Sequence, residues 1–175
     1  MRPAIDLLAQ YAAYHRDRRN IASHFLGVPM IVFAIGVLLA RPTFVLGSVV
    51  LTPAWVVFAP VAAWYLTRGA PVLGLAVSLA VAGLLHLAEP LAAGGVLGWL
   101  GWGFGLFVVG WAIQFVGHWY EGRKPAFVDD LVGLLVGPMF VTAEAMFALG
   151  WGKGLLAEIE RRVGPTQLRD LARIA

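Results

Sequence analysis

The sequence contains no cysteine, which removes disulfides, thiolate metal ligands and cysteine nucleophiles from consideration. Charge is also scarce. Lys, Arg, Asp and Glu make up 13% of the 175 residues, whereas a soluble domain carries about 25%. No P-loop, Gly-x-Ser-x-Gly elbow or Ser-His-Asp order occurs, so nucleotide-driven chemistry and serine hydrolysis lack their usual groups. Residues 1–10 include Asp6 and lack a long apolar core, so no cleavable signal peptide is expected. What remains is apolar, with 60% of residues hydrophobic. So short a chain cannot hide that much apolar surface within itself. Lipid is therefore the expected solvent, and the expected fold is all-α, a polytopic membrane protein with residues 1–175 as one embedded domain.

Residues 3–15 read as a short amphipathic helix with Pro3 in its first turn, interrupted by the polar run Arg16 to Asn20. Asn20 is the expected cap of the next helix. Apolar spans are expected over 24–40, over 44–66 with bends at Pro53 and Pro60, and twice within 72–118. Glu89-Pro90 and Gly94-Gly95 divide that last stretch. A fifth apolar segment, 131–151, contains Gly137-Pro138 and Glu144, and the tail from Lys153 has the pattern of an interfacial helix. Four spans with a re-entrant or shallow fifth segment place both termini and twelve of the thirteen basic residues on the cytoplasmic side. In a bacterium this is the inner membrane. The basic residues flank apolar segments and form no single stripe, so lipid headgroups and not nucleic acid are the expected partners. Glycines 98, 101, 103, 105 and 110 lie inside an aromatic span and point to close helix packing. Self-association into a homo-oligomer stays open.

Ionisable groups within or beside spans are costly and are candidates for function. Gln114, His118 and Glu121, spaced by four and three, share one helical face. Glu121 could join His118 on a metal or orient a liganding imidazole. His15 and His24 would point about 180° apart on one continuous helix. A break at Arg19-Asn20 lets the chain turn back and brings them together. His15, His24 and His118 then fall at one depth, and three imidazoles suit Fe, Zn, Cu or Ni better than Mg or Ca. His86 belongs to the opposite half and reads as a buried histidine bonded to a backbone carbonyl. Arg123 and Lys124 could hold a substrate carboxylate, while Asp129 or Asp130 caps the following segment.

The series Tyr14-His15, Asn20, His24 and Pro29, then Trp111, Gln114-Phe115-Val116-Gly117-His118, Glu121, Arg123, Pro125-Ala126, Asp130, Pro138 and Glu144 carries a resemblance. It is similar to the yeast-type membrane 2-hydroxy fatty acid dioxygenase family, which acts in phytosphingosine breakdown and has bacterial relatives. The resemblance covers both ends of the chain, while residues 40–105 match only as apolar spans. It implies an Fe(2+) cofactor on His15, His24 and His118. It also implies an α-oxidation in which a 2-hydroxy fatty acid and O2 give the acid one carbon shorter, CO2 and water. Gln114, Glu121 and Arg123 are the candidate catalytic groups. The reaction removes four electrons from the acid and O2 takes up four, so no flavin, nicotinamide or reductase is required. Two other classes compete: another metal-dependent lipid-modifying enzyme, and a non-enzymatic membrane metal or lipid carrier. A transporter places polar groups through the midplane, whereas these gather at one surface, which favours an enzyme.

Overall fold

A computed structural model describes residues 2–171. Its described residues form seven α-helices and one β-hairpin. Helix α1 (Ala4–Ala12) is followed by α2 (Arg18–Leu39), the hairpin strands β1 (Phe44–Leu46) and β2 (Val49–Leu51), and α3 (Pro53–Leu66). Then come α4 (Pro71–Ala92), α5 (Val96–Glu121), a 3-10 turn at Ala126–Val128, α6 (Gly133–Ala148) and α7 (Lys153–Val163). Helices α2, α4 and α5 are long and apolar enough to cross a membrane; α6 and α7 add a fourth candidate only if taken as one span broken by a 116° bend. Arg173 lies outside the described residues.

The expected span over 44–66 is corrected. Its first third is the hairpin, with Phe44 opposite Leu51 and Leu46 opposite Val49. Gly47, at φ +64°, makes the two-residue Gly-Ser turn that glycine in the first position favours. The β-branched residues Val45, Val49 and Val50 favour the pleated backbone over a helix. Helix α3 keeps only 14 residues, about 21 Å at 1.5 Å each. Pro53 starts it and does not bend it. The helix cap is corrected too: α2 begins one turn earlier than Asn20, because the Asp17 carboxylate accepts the Arg19 N–H at 2.8 Å. Asp129 and Asp130 leave Val132 as the residue before α6, although Asp130 Oδ1 does accept the Val132 N–H at 3.0 Å.

Helices α2 and α5 make the closest packing in the fold, with glycine at the seam. A Cβ on Gly27 would lie 2.7 Å from Gln114 Nε2 and 2.9 Å from the Gly110 carbonyl, and one on Gly110 would lie 2.7 Å from Ile31. Gly103 meets Leu38, and Gly117 meets Ser23 and Asn20. The spacing of seven keeps Gly103, Gly110 and Gly117 on one face, where small residues let backbones approach. Gly98, Gly101 and Gly105 have open space instead, so the expected packing role holds for only part of that set. Gly117→Val is therefore expected to separate α2 from α5 one residue from His118. Overpacking of this kind costs about 1–3 kcal/mol. The check is a lower melting temperature together with reduced metal content, whereas Gly105→Val changes neither.

The core runs from α1 through α6 and α7 and on along α3 and α4. Leu8, Tyr11 and Ala12 pack with Met139, Phe140 and Ala143 of α6 and Ile159 of α7. Further ties are the Ala4 N–H on the Arg68 carbonyl at 2.8 Å and the Tyr65 hydroxyl on the Leu135 carbonyl at 2.9 Å. The outer flanks of α4 and α5 leave Leu79, Leu87, Val108, Val116 and Trp119 exposed.

Candidate metal centre

The chain reverses over residues 13–17, between α1 and α2. His15 sits in that reversal and His24 lies on the second turn of α2, so the two rings meet with centroids 4.3 Å apart. His118, on the last turn of α5, completes the group at 4.9 Å from His15 and 5.2 Å from His24. One ring nitrogen from each can be chosen so that all three lie within 4.8 Å of one another. The convergence expected from the sequence is present, although the reversal falls at 13–17 and not at Arg19-Asn20.

Hydrogen bonds fix the ring tautomers. His15 Nδ1 is 2.7 Å from the Tyr11 carbonyl, and His24 Nδ1 is 2.9 Å from the Asn20 carbonyl. A carbonyl only accepts, so both Nδ1 atoms carry the proton and both neutral rings leave a bare lone pair on Nε2. Those two Nε2 atoms face each other at 2.9 Å. Two opposed lone pairs repel unless a cation or a shared proton lies between them. Burial argues against the proton. His15 is 0% exposed and His24 2%, and burial, reinforced by the neighbouring His24 ring, pushes the His15 imidazole well below its ordinary basicity. His118 Nδ1 is likewise buried and has no hydrogen-bond partner. Neutral, anchored imidazoles with inward lone pairs are what a borderline divalent metal binds. The residues present fit such an ion.

The surroundings hold these rings in place. Tyr11 stacks on His15 with centroids 4.2 Å apart and planes 6° from parallel, and Phe140 packs against both rings, 5.3 Å from His15 and 5.1 Å from Tyr11. Glu121 accepts the Arg16 N–H at 2.9 Å on one oxygen. Its other oxygen accepts the Asp17 N–H at 2.8 Å and Asn20 Nδ2 at 3.1 Å. Glu121 thus faces the reversal that carries His15. It is bonded to no imidazole, so the expected roles as metal ligand or as imidazole orienter are not what the geometry displays. Asn20 Nδ2 also reaches the Tyr14 carbonyl at 3.1 Å.

The chain after α7 straps the same reversal. Gln167 exchanges backbone bonds with Arg16 and Arg18 at 2.8 and 3.0 Å, and the Arg169 N–H reaches Asp17 at 2.9 Å. Burial alone would raise the Asp17 carboxyl, but the Arg19 side chain and the Arg169 and Arg19 N–H groups hold it down at about 2. The sequence reading missed Tyr11, Phe140, Asp17 and this strap. Only Asp17 carried a local signal, as an Asp before a helix.

The remaining candidates divide. Gln114 is 3% exposed, and neither its oxygen nor its nitrogen has a partner. With His24, His118 and Tyr11 it lines one end of an otherwise apolar cavity of ≈ 240 Å³. Arg123 is exposed, donates to the Ala13 carbonyl at 2.8 Å and lies outside that cavity. Lys124 pairs with Asp129 at 2.6 Å. His86 is remote from the cluster as expected, but it is exposed and faces Glu89 at 3.5 Å, which corrects the expected burial against a carbonyl.

A family model described as 2-hydroxy-palmitic acid dioxygenase Mpo1-like matches residues 1–149. The chain belongs to this family. It is also 34% identical, over 165 residues, to the 2-hydroxy-palmitic acid dioxygenase MPO1 of Saccharomyces cerevisiae. That alignment covers 89% of this chain and 88% of the yeast protein. No solved structure matches. The residues matched by the family model include all three histidines, Gln114 and Glu121, while the strapping residues Gln167 and Arg169 lie beyond them.

Proposed function

We propose that this protein is a membrane-embedded, Fe(2+)-dependent dioxygenase. It converts a 2-hydroxy fatty acid and O2 into the acid one carbon shorter, CO2 and water. The observation that carries the reading is the pair of opposed Nε2 lone pairs of His15 and His24, with His118 beside them, where His24 and His118 line the polar end of an apolar cavity. Family membership supplies the substrate class.

His15, His24 and His118 would hold the ion, which when bound supplies the activation of O2 that side chains cannot provide. The chain's own contribution is position and exclusion. The Tyr11 and Asn20 carbonyls keep the His15 and His24 lone pairs directed at the centre. Glu121 fixes the reversal that carries His15. Phe140 and Tyr11 keep water off the rings. Gln114, buried with free donor and acceptor atoms, is placed to bond the 2-hydroxyl or carboxylate of a bound acid. Arg123, tied to the Ala13 carbonyl, steadies the loop beside it. The exposed apolar flanks and the three long helices support membrane insertion. An open hairpin edge cannot lie in hydrocarbon, so β1 and β2 rest at the far interface. Arg16, Arg123 and Arg169 gather at the histidine end, and this basic cluster supports reading that end as the cytoplasmic one, at the inner membrane if the source is a bacterium.

The test is turnover of a long-chain 2-hydroxy acid under air by protein purified without oxygen and loaded with Fe(2+). The non-hydroxylated acid serves as control. Stoichiometric CO2 and shortened acid from the hydroxy acid alone are expected. Equal turnover of both acids, or full activity in protein stripped of metal, overturns the reading.

A further inference from the structure

Two helices each present a stripe that begins at a histidine. On α2 it runs His24, Val28, Ile31, Val32, Ile35; on the antiparallel α5 it runs His118, Gln114, Trp111, Phe107. Apart from the adjacent pair Ile31 and Val32, steps of three and four keep each stripe on one face, and the two stripes wall the ≈ 240 Å³ cavity together with Phe127, Leu134 and Pro138. The polar groups of that cavity stand together at the histidine end, and everything beyond Gln114 is apolar. Such a space matches a molecule with one polar end and a long apolar body.

A second cavity of ≈ 210 Å³ adjoins the first. The two share Val32, Ile35, Leu134 and Pro138, and the second carries the α2 stripe on to Leu39, with Val57 and Val61 of α3 and Val81 and Leu85 of α4 among its other walls. From His24 to Ile35 the helix rises about 16 Å, and to Leu39 about 22 Å. One bilayer leaflet gives the scale of a long acyl chain, at roughly 15 Å of hydrocarbon. The first cavity therefore takes a chain of about leaflet length, and the second determines what lies beyond it.

We propose that the two cavities form one acyl tunnel, and that its far chamber, lined by Val61 and rimmed by Val57, sets the longest chain the site accepts. The identity of the ligand rests on the dioxygenase reading above; the tunnel and its ruler rest on the paired stripes and the shared wall. Phe58 also lines the far chamber, so the ruler can be moved in both directions. Val61→Phe shortens the tunnel, and Val57→Phe does the same from the more exposed rim, where folding is less sensitive. Phe58→Ala lengthens it.

The experiment measures displacement of a fluorescent fatty acid by plain saturated acids of increasing length in detergent-purified protein, beside turnover of the matching 2-hydroxy acids. The two Phe variants are expected to weaken binding of the longest acids at least about tenfold while leaving medium-chain acids unchanged, as steric exclusion of a methylene or more does. Phe58→Ala should extend the range. Melting temperatures identify any variant that has failed to fold, in which case its companion decides. An unchanged length profile in folded variants overturns the tunnel, even where wild-type turnover succeeds. A shifted binding profile without turnover of any 2-hydroxy acid upholds the tunnel and defeats the dioxygenase reading.

Discussion

His15→Ala, His24→Ala and His118→Ala are each expected to lose almost all bound metal while remaining folded, measured as metal per protein after anaerobic purification. The sign of the stability change makes this more than a loss-of-activity test. His15 and His24 are buried, and both Nδ1 protons are committed to carbonyls. Truncating a buried ring lowers the melting temperature on its own account, so each variant is compared with itself before and after metal is added. Metal should separate the variants from wild type. An ion at a hundred times its dissociation constant contributes about 2.7 kcal/mol to the native state. For a chain of this length that is about 5–10 °C at 2–4 °C per kcal/mol. Wild type should gain that shift and the variants none. His86→Ala, on an exposed stretch of α4 beside Glu89, should behave as wild type. Two of the three variants retaining full metal content would move the centre elsewhere.

The sequence exposed this centre because its ingredients are local. Four histidines in an apolar chain leave few combinations, and the polar run from Arg16 to Asn20 announces a break that lets His15 and His24 meet. The position of the break was harder to read, since Asp17 and Asn20 are both good helix caps and only the Arg19 N–H on Asp17 decides between them. The second span failed for a different reason. Mean apolarity makes 44–66 look continuous, but Phe44-Val45-Leu46-Gly47-Ser48-Val49-Val50-Leu51 is a strand, a glycine turn and a strand. The acyl stripes were hidden by plenty. Helices apolar on every face show no periodicity, so the line from His24 to Leu39 emerges only where α3, α4 and α6 leave space beside it. Long-range contacts were least legible. The spacing of Glu121 from His118 suggested a partnership with the imidazole, whereas its oxygens serve donors 101 to 105 residues away.

That arrangement predicts a graded response at Glu121. One carboxylate satisfies the backbone N–H groups of Arg16 and Asp17 and the side-chain amide of Asn20. Arg16, Asp17 and Asn20 are themselves buried. Glu121→Ala leaves three donors short of an acceptor, each worth about 1–3 kcal/mol when fully buried. Water reaching the part-exposed edge reduces the total, so a loss of about 2–3 kcal/mol is expected, or about 5–10 °C in melting temperature. The reversal carrying His15 then loosens, and metal affinity falls with it. Glu121→Gln keeps one acceptor oxygen but turns an NH2 group toward another donor, which places it between alanine and wild type. The spectrum of the metal that remains separates positioning from ligation. With three histidine ligands and Glu121 outside them, a d–d or X-ray absorption signature measured on Co(2+)-loaded protein should be the same in wild type, Glu121→Gln and Glu121→Ala, at declining occupancy. If Glu121 were bound to the ion, both substitutions would alter that signature, and glutamine would be no better than alanine.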